Sequence, residues 1–118
     1  MSSARRRRLI LGVVKSDRTF ERAEQRGQPI WVGKCIHCGA PLAVAEDGTP
    51  LGRATIEHIV PRAHGGGDDL ENLALACDRC NFEKGRRHDS RGKADARRVE
   101  LVERLQRARK DRWRSPED

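Results

Sequence analysis

The sequence predicts a small α+β domain held together by a staple as much as by a hydrophobic core. Three observations carry that prediction. The chain has 118 residues, 36% of them hydrophobic but only 3% aromatic, with two Phe, two Trp and no Tyr. That is room for one domain and little large apolar surface to bury. Its four cysteines fall in two Cys-x-x-Cys pairs, Cys35 with Cys38 and Cys77 with Cys80. From Ala54 onward the pattern reads strand, Gly-rich loop, strand, helix: a ββα unit with the second cysteine pair at its strand-to-helix junction.

The elements follow in order. Residues 1–8 are small, polar or Arg and read as a tail that orders on meeting an anion. Leu9 to Val14 reads as a short strand, and Asp17 to Arg26 as a polar helix or turn ending near Gly27. Pro29-Ile30-Trp31-Val32 leads as a strand into the first cysteine pair. Leu42 to Ala45 and Ala54 to Ile59 are extended runs joined through the turn-forming residues Glu46 to Pro50. Pro61 ends the second run. Arg62 to Asp69, with Gly65-Gly66-Gly67, reads as a flexible loop with no packing content. Leu73 to Ala76 is a further strand, and Asp78 is placed to cap a helix over 79–87 in which Phe82 faces inward. A last helix over 94–113 carries Val99, Val102, Leu105 and Ala108 on one side and Arg and Lys elsewhere. This divides the chain into a basic N-terminal extension (1–30), a core (31–92) and a basic C-terminal helix (93–118).

A net charge of +7 and a pI near 9.9 point to a polyanionic partner, because clustered Lys and Arg near phosphates release counterions. No apolar run approaches the ~20 residues of a spanning helix. The Arg5–Arg8 run and the apolar residues after it are too short, and lack a cleavage site, for the ~7–15-residue apolar region of a signal peptide. The chain therefore reads as cytoplasmic, with no membrane partner. In a reducing compartment, paired Cys-x-x-Cys spacing means zinc ligation and not two disulfides. Two residues between cysteines let both thiolates of a tight turn face one ion, and two such turns complete a tetrahedral site. His37, inside the first pair, reads as surface filler because four thiolates already complete the shell.

Four pieces then stand in order: C-I-H-C from Cys35, E-H-I-V-P from Glu57, G-G-G from Gly65, and E-N-L-A-L-A-C-D-R-C-N-F-E-K-G from Glu71 to Gly85. Over this stretch, a little under half its length, the chain resembles the HNH endonuclease family in its four-cysteine form, an H-N-N variant. The resemblance implies a ββα-metal (His-Me finger) core with flanking helices, a structural Zn²⁺ on Cys35, Cys38, Cys77 and Cys80, and a separate catalytic Mg²⁺ or Mn²⁺. It implies His58 as general base, Glu57 and Asn81 at the catalytic ion, and Asn72 as the residue tying the loop that holds the base. A histidine suits the role because its ordinary pKa leaves it able to accept a proton near neutral pH. Strand alternation sets Glu57 and His58 on opposite faces, so both serve one site only if the chain bends there. A neighbouring backbone carbonyl is expected to fix the tautomer of His58. Lys84, Arg86, Arg87 and Arg62 are the candidate phosphate contacts, and Arg97, Arg98, Arg104 and Arg107 line the last helix.

Two departures are visible. Glu57 stands where Asp is more usual, and Asn81 where His is; an amide oxygen is a harder ligand than imidazole and favours magnesium or manganese. The implied activity is hydrolysis of DNA phosphodiester bonds, as nicks or double-strand breaks, with little sequence preference unless a partner protein targets it. The alternative is a non-catalytic, zinc-stabilised nucleic-acid-binding module. A zinc module for protein partners leaves the charge of +7 unexplained.

Overall fold

A computed structural model describes residues 1–116, so the last two positions of the C-terminal region lie outside the described residues. The chain runs as helix α1 (Ser3–Ser16), strands β1 (Glu21–Gln25), β2 (Gln28–Lys34), β3 (Pro41–Ala45), β4 (Pro50–Leu51) and β5 (Ala54–His58), then β6 (Leu73–Cys77), α2 (Asp78–Lys84) and α3 (Ala96–Asp111). Strands β1 to β4 form one antiparallel sheet in sequence order, and β5 pairs with β6 in a second. The ββα unit is β5, β6 and α2.

The first thirty residues differ from expectation. The supposed tail and first strand are one helix, opened by Ser2, whose Oγ accepts from Arg5 N at 3.2 Å. Ile10, Val13 and Val14 are fully buried; their spacing of three and four is helical, a signal masked by the uninterrupted apolar run from Leu9 to Val14. The polar helix or turn expected over 17–26 is instead β1, an edge strand exposed at every position. Its apolar alternation is absent because charge protects a free edge from pairing with other chains. Arg26 (φ 52°) and Gly27 (φ 78°) make the two left-handed residues that a tight β1–β2 hairpin needs.

The core lies between the two sheets and the long helices. All five residues of β6 are buried. They meet Ile10 and Val13 from α1, Val44 from β3, and Leu101, Val102 and Leu105 from α3 within one apolar cluster. Asp95 caps α3, accepting from Arg97 N at 3.0 Å and Arg98 N at 3.2 Å. The inward stripe is Arg98, Leu101, Val102, Leu105 and Arg109. Val99, expected on that stripe, is 37% exposed.

Arg109 is a cross-brace that no hydrophobic pattern reveals. It is 2% exposed, with Nε donating to Leu73 O at 2.8 Å and its terminal nitrogens to Ser16 O at 2.9 Å, Ser16 Oγ at 2.6 Å and Leu70 O at 3.1 Å. Its guanidinium also lies 4.8 Å from the centre of the Trp113 ring. Burial lowers the pKa of this guanidinium, against the attraction of Asp17 and Glu71; the fork of bonds is what makes such a charge tolerable in the interior. One side chain thus fixes α3 to the end of α1 and to the start of β6, the strand that ends on Cys77, the first cysteine of the second pair.

Candidate functional site

The first cysteine pair sits in the turn between β2 and β3. Cys35 N donates to Ala40 O at 2.8 Å, Gly39 N to Cys35 O at 3.0 Å, and Gly39 takes a left-handed φ of 76°. Ile36 N reaches across to Leu75 O at 3.0 Å, docking this turn on β6, where the second pair begins. All four cysteines are free thiols, and their sulfurs lie within 4.8 Å of one another. Among the described residues this is the one group of three or more Cys, His, Asp or Glu whose ligand atoms converge in this way. Cys35 Sγ accepts from His37 N at 3.4 Å and Cys77 N at 3.3 Å, the bonds that stabilise a metal-bound thiolate. The donor set fits a single dication, and its softness suits zinc.

Strand β5 pairs with β6 in unbroken register through His58↔Leu73, and Ile59 N continues the ladder to Asn72 O at 2.8 Å. No bend therefore brings Glu57 and His58 together, and their side chains take different partners. Glu57 is 2% exposed, and both its carboxylate oxygens contact Nε2 of His37, at 2.7 and 2.9 Å. His37 is thus no surface filler: it joins the cysteine turn to the buried acid. Asn81 reaches the same face of β5 as Glu57, its Nδ2 donating to Thr55 Oγ1 and Ile56 O, both at 3.1 Å. Its Oδ1 makes no hydrogen bond among the described residues. Glu57 and that oxygen are hard donors, of the type that suits magnesium or manganese.

His58 lies on the other face. Its ring is 18% exposed, and Nε2 stands 2.7 Å from Asp68 Oδ1. Asp68 in turn accepts from Arg5 at 2.8 Å and from Arg62 at 3.0 and 3.1 Å. The Arg5 guanidinium first, then the His58 ring and, against burial, Arg62, hold the Asp68 carboxyl well below the usual carboxylate range. Sequence reasoning misses both partners: Arg5 lies in a segment that reads as a tail, and Asp68 in a loop that reads as unpacked. In sequence, nothing marks either residue beyond its polarity.

That loop is packed. It holds a 3₁₀ turn at Arg62–His64 and another at Leu70–Asn72, and a Cβ at Gly66 would fall on the Val60 carbonyl and the Asn72 amide. Asn72 is its tie: Oδ1 accepts from Val60 N at 2.9 Å, while Nδ2 donates to Val60 O at 3.0 Å and Gly67 O at 2.9 Å. Replacing Asn72 with Ala leaves three backbone groups short of a partner. We expect a loss of about 1–3 kcal/mol in denaturant unfolding, with faster amide exchange over 60–72. Unchanged exchange there would contradict the tie.

Helix α2 corrects other expectations. Its first residue is Asp78, and Cys77 holds the cap position. Phe82 is 68% exposed because the helix turns Asn81 and Lys84 towards β5. Lys84 is 2% exposed and committed: its Nζ donates to His58 O at 3.0 Å and to both Asp89 oxygens at 2.8 Å. It is an internal brace on the backbone of His58, not a phosphate contact at the surface. Arg86 and Arg87 are exposed and paired with Glu83 at 3.1 and 2.7 Å. The helix continues through a π turn, Gly85–Asp89. His64 is half-buried with Nε2 at 3.0 Å from Asp89 O; His88 is half-buried too, and its buried Nδ1 has no hydrogen-bond partner among the described residues.

A cavity of about 430 Å³ opens between α2 and α3, lined by Arg79, Arg87, Arg104 and His88 among others. A second depression of about 260 Å³ shares Arg104 and His88 and adds Arg97 and Arg107. The guanidinium groups of Arg79, Arg97, Arg104 and Arg107 make no side-chain bonds among the described residues. Arg98, expected with them, is buried.

Compared with known proteins, residues 35–87 match the family model described as HNH endonuclease. No curated protein and no solved structure matches the chain. No helix among the described residues is long and apolar enough to cross a membrane.

Proposed function

We propose, from the match of residues 35–87 to the HNH endonuclease family model, that the chain hydrolyses phosphodiester bonds in DNA with His58 as general base. The observation that carries the reading is the state of the His58 ring. It is partly open to solvent at the end of β5, with Nε2 engaged by Asp68 and Nδ1 unbonded among the described residues. A neutral imidazole so held can take a proton from a water aligned on a phosphate. Asn72 keeps the loop beside it closed, and Lys84 fixes its carbonyl. Cys35, Cys38, Cys77 and Cys80 hold a structural zinc. Glu57 and Asn81 would hold a Mg²⁺ or Mn²⁺ ion, whose chemistry when bound is to stabilise charge on the leaving oxygen. Because Glu57 and His58 lie on opposite faces of β5, this reading requires the end of that strand to bend when DNA binds.

The nucleic acid follows the groove between α2 and α3, where unpaired Arg79, Arg97, Arg104 and Arg107 take the place expected for Lys84. An Arg104→Ala/Arg107→Ala double variant is expected to bind DNA more weakly. It should also flatten the dependence of log affinity on log salt by up to about 2, near 0.9 for each phosphate no longer neutralised. An unchanged slope in fluorescence-anisotropy titrations would place the DNA elsewhere.

One observation favours the alternative of a non-catalytic nucleic-acid-binding module: His37 occupies both oxygens of Glu57. Supercoiled plasmid incubated with the zinc-loaded protein separates the two readings. Relaxation or linearisation that requires Mg²⁺ or Mn²⁺ and stops with EDTA supports the nuclease. Salt-sensitive binding without cleavage under either ion supports the module.

A further inference from the structure

We propose that Asp68 is the positioning residue for His58: its carboxylate holds the ring in the Nε2–H tautomer and leaves Nδ1 as the nitrogen that takes the proton. The inference rests on His58 being the base, and it departs from the backbone carbonyl expected to do this work.

The chemistry of the contact decides the tautomer. An ionised carboxylate only accepts hydrogen bonds, so a ring nitrogen 2.7 Å from Asp68 Oδ1 carries the proton. Arg62 Nε also lies 3.4 Å from Nε2; a protonated Nε2 cannot accept from it, and the shorter contact prevails. The neutral ring then has its lone pair on Nδ1. Asp68 does not compete for the proton His58 collects, because Arg5 and Arg62 hold it as a carboxylate. The charged groups around the ring are therefore Asp68, Arg62 and, through Asp68, Arg5, with the Lys84 ammonium on the His58 carbonyl. Arg5 comes from α1, so the N-terminal helix is part of the machinery that orients the base.

The contact also explains why the glycine loop is packed. Asn72 bonds Gly67 O, the residue before Asp68, and so sets where the carboxylate meets the ring. An acceptor on a loosely held loop would leave the imidazole free to turn, and misorientation of a general base forfeits much of its contribution.

The test uses the zinc-loaded full chain and two readouts. Two-bond ¹H–¹⁵N correlation spectra of the neutral ring read the tautomer directly. The expected wild-type result is a pyrrole-like Nε2 and a pyridine-like Nδ1. In Asp68→Asn the side-chain amide can donate to Nε2, so the proton is expected to shift to Nδ1. Single-turnover cleavage should fall about 10²–10³-fold in that variant with DNA affinity unchanged, within the range general-base catalysis supplies. Asp68→Glu, which keeps an acceptor, is expected to restore the Nε2–H tautomer and part of the rate. An Nδ1–H ring in the wild type overturns the proposal, whatever the activity. So does an Asp68→Asn protein with the wild-type tautomer, including one whose rate falls only because its melting temperature falls. If the wild type never cleaves, the nuclease reading fails on its own, and the tautomer still decides what Asp68 does.

Discussion

Chelation of the metal from the four-cysteine centre is expected to unfold the chain, and Cys77→Ser is expected to do the same without a chelator. The two cysteine turns are where the β2–β3 hairpin meets β6 and α2. Outside the metal, that junction relies on a few polar contacts, Ile36 N to Leu75 O and His37 to Glu57 among them, and on a small apolar cluster. A structural zinc supplies on the order of 10 kcal/mol, as much as the whole net stability of a typical domain. The core cannot replace it: its largest apolar side chain is Phe20, and most of the rest is Val, Leu, Ile and Ala. The cysteines should not be equal. Cys77 is buried and Cys38 exposed, so Cys38→Ser, where water can reach the vacated position, should lose less. Circular dichroism and thermal melts against free zinc would show this directly. A chelated protein that keeps a cooperative melt within a few degrees of the zinc form would mean the core suffices.

Much of the ββα unit is legible in the sequence because its signals are local. Cysteine spacing, the β-type runs 54–59 and 73–76 and the helix start after Cys77 each depend on a few neighbouring residues. The first thirty residues mislead where local signals conflict: Leu9–Val14 is apolar without a break, so a helix and a strand look alike, and β1 has no apolar face to announce it. In the site, the residue types are legible but their partners are not. His37 finding Glu57, Arg5 finding Asp68 and Lys84 finding Asp89 are contacts between side chains whose spacing in sequence carries no period. Lys84 shows why this matters. A lysine beside two arginines reads as a basic surface, yet Asp89, five residues on, and the His58 carbonyl draw it inside. Phe82 is the converse, an aromatic left in solvent because α2 gives its inner face to Cys80, Asn81 and Lys84.

His58→Ala is expected to abolish metal-dependent cleavage while leaving fold and DNA binding intact. The rate should fall about 10²–10⁴-fold, the span attributed to a positioned base, and plasmid relaxation over a fixed time should disappear. The fold should survive because the ring is partly exposed and its removal strands no buried charge: Asp68 keeps Arg5 and Arg62. Binding should survive because the unpaired arginines of the α2–α3 groove are untouched. Lys84→Ala is the informative contrast. It removes a buried ammonium from Asp89 and frees the His58 carbonyl, so it should cost about 3–5 kcal/mol in unfolding and reduce the rate only through loss of structure. The pair separates chemistry from scaffolding: a stable, DNA-binding, inactive His58→Ala beside a destabilised Lys84→Ala is the signature of a base held by a brace. A His58→Ala protein that cuts at the wild-type rate would remove His58 from the chemistry. The acid on the opposite face of β5, Glu57 with its partner His37, would then be the group left to explain cleavage.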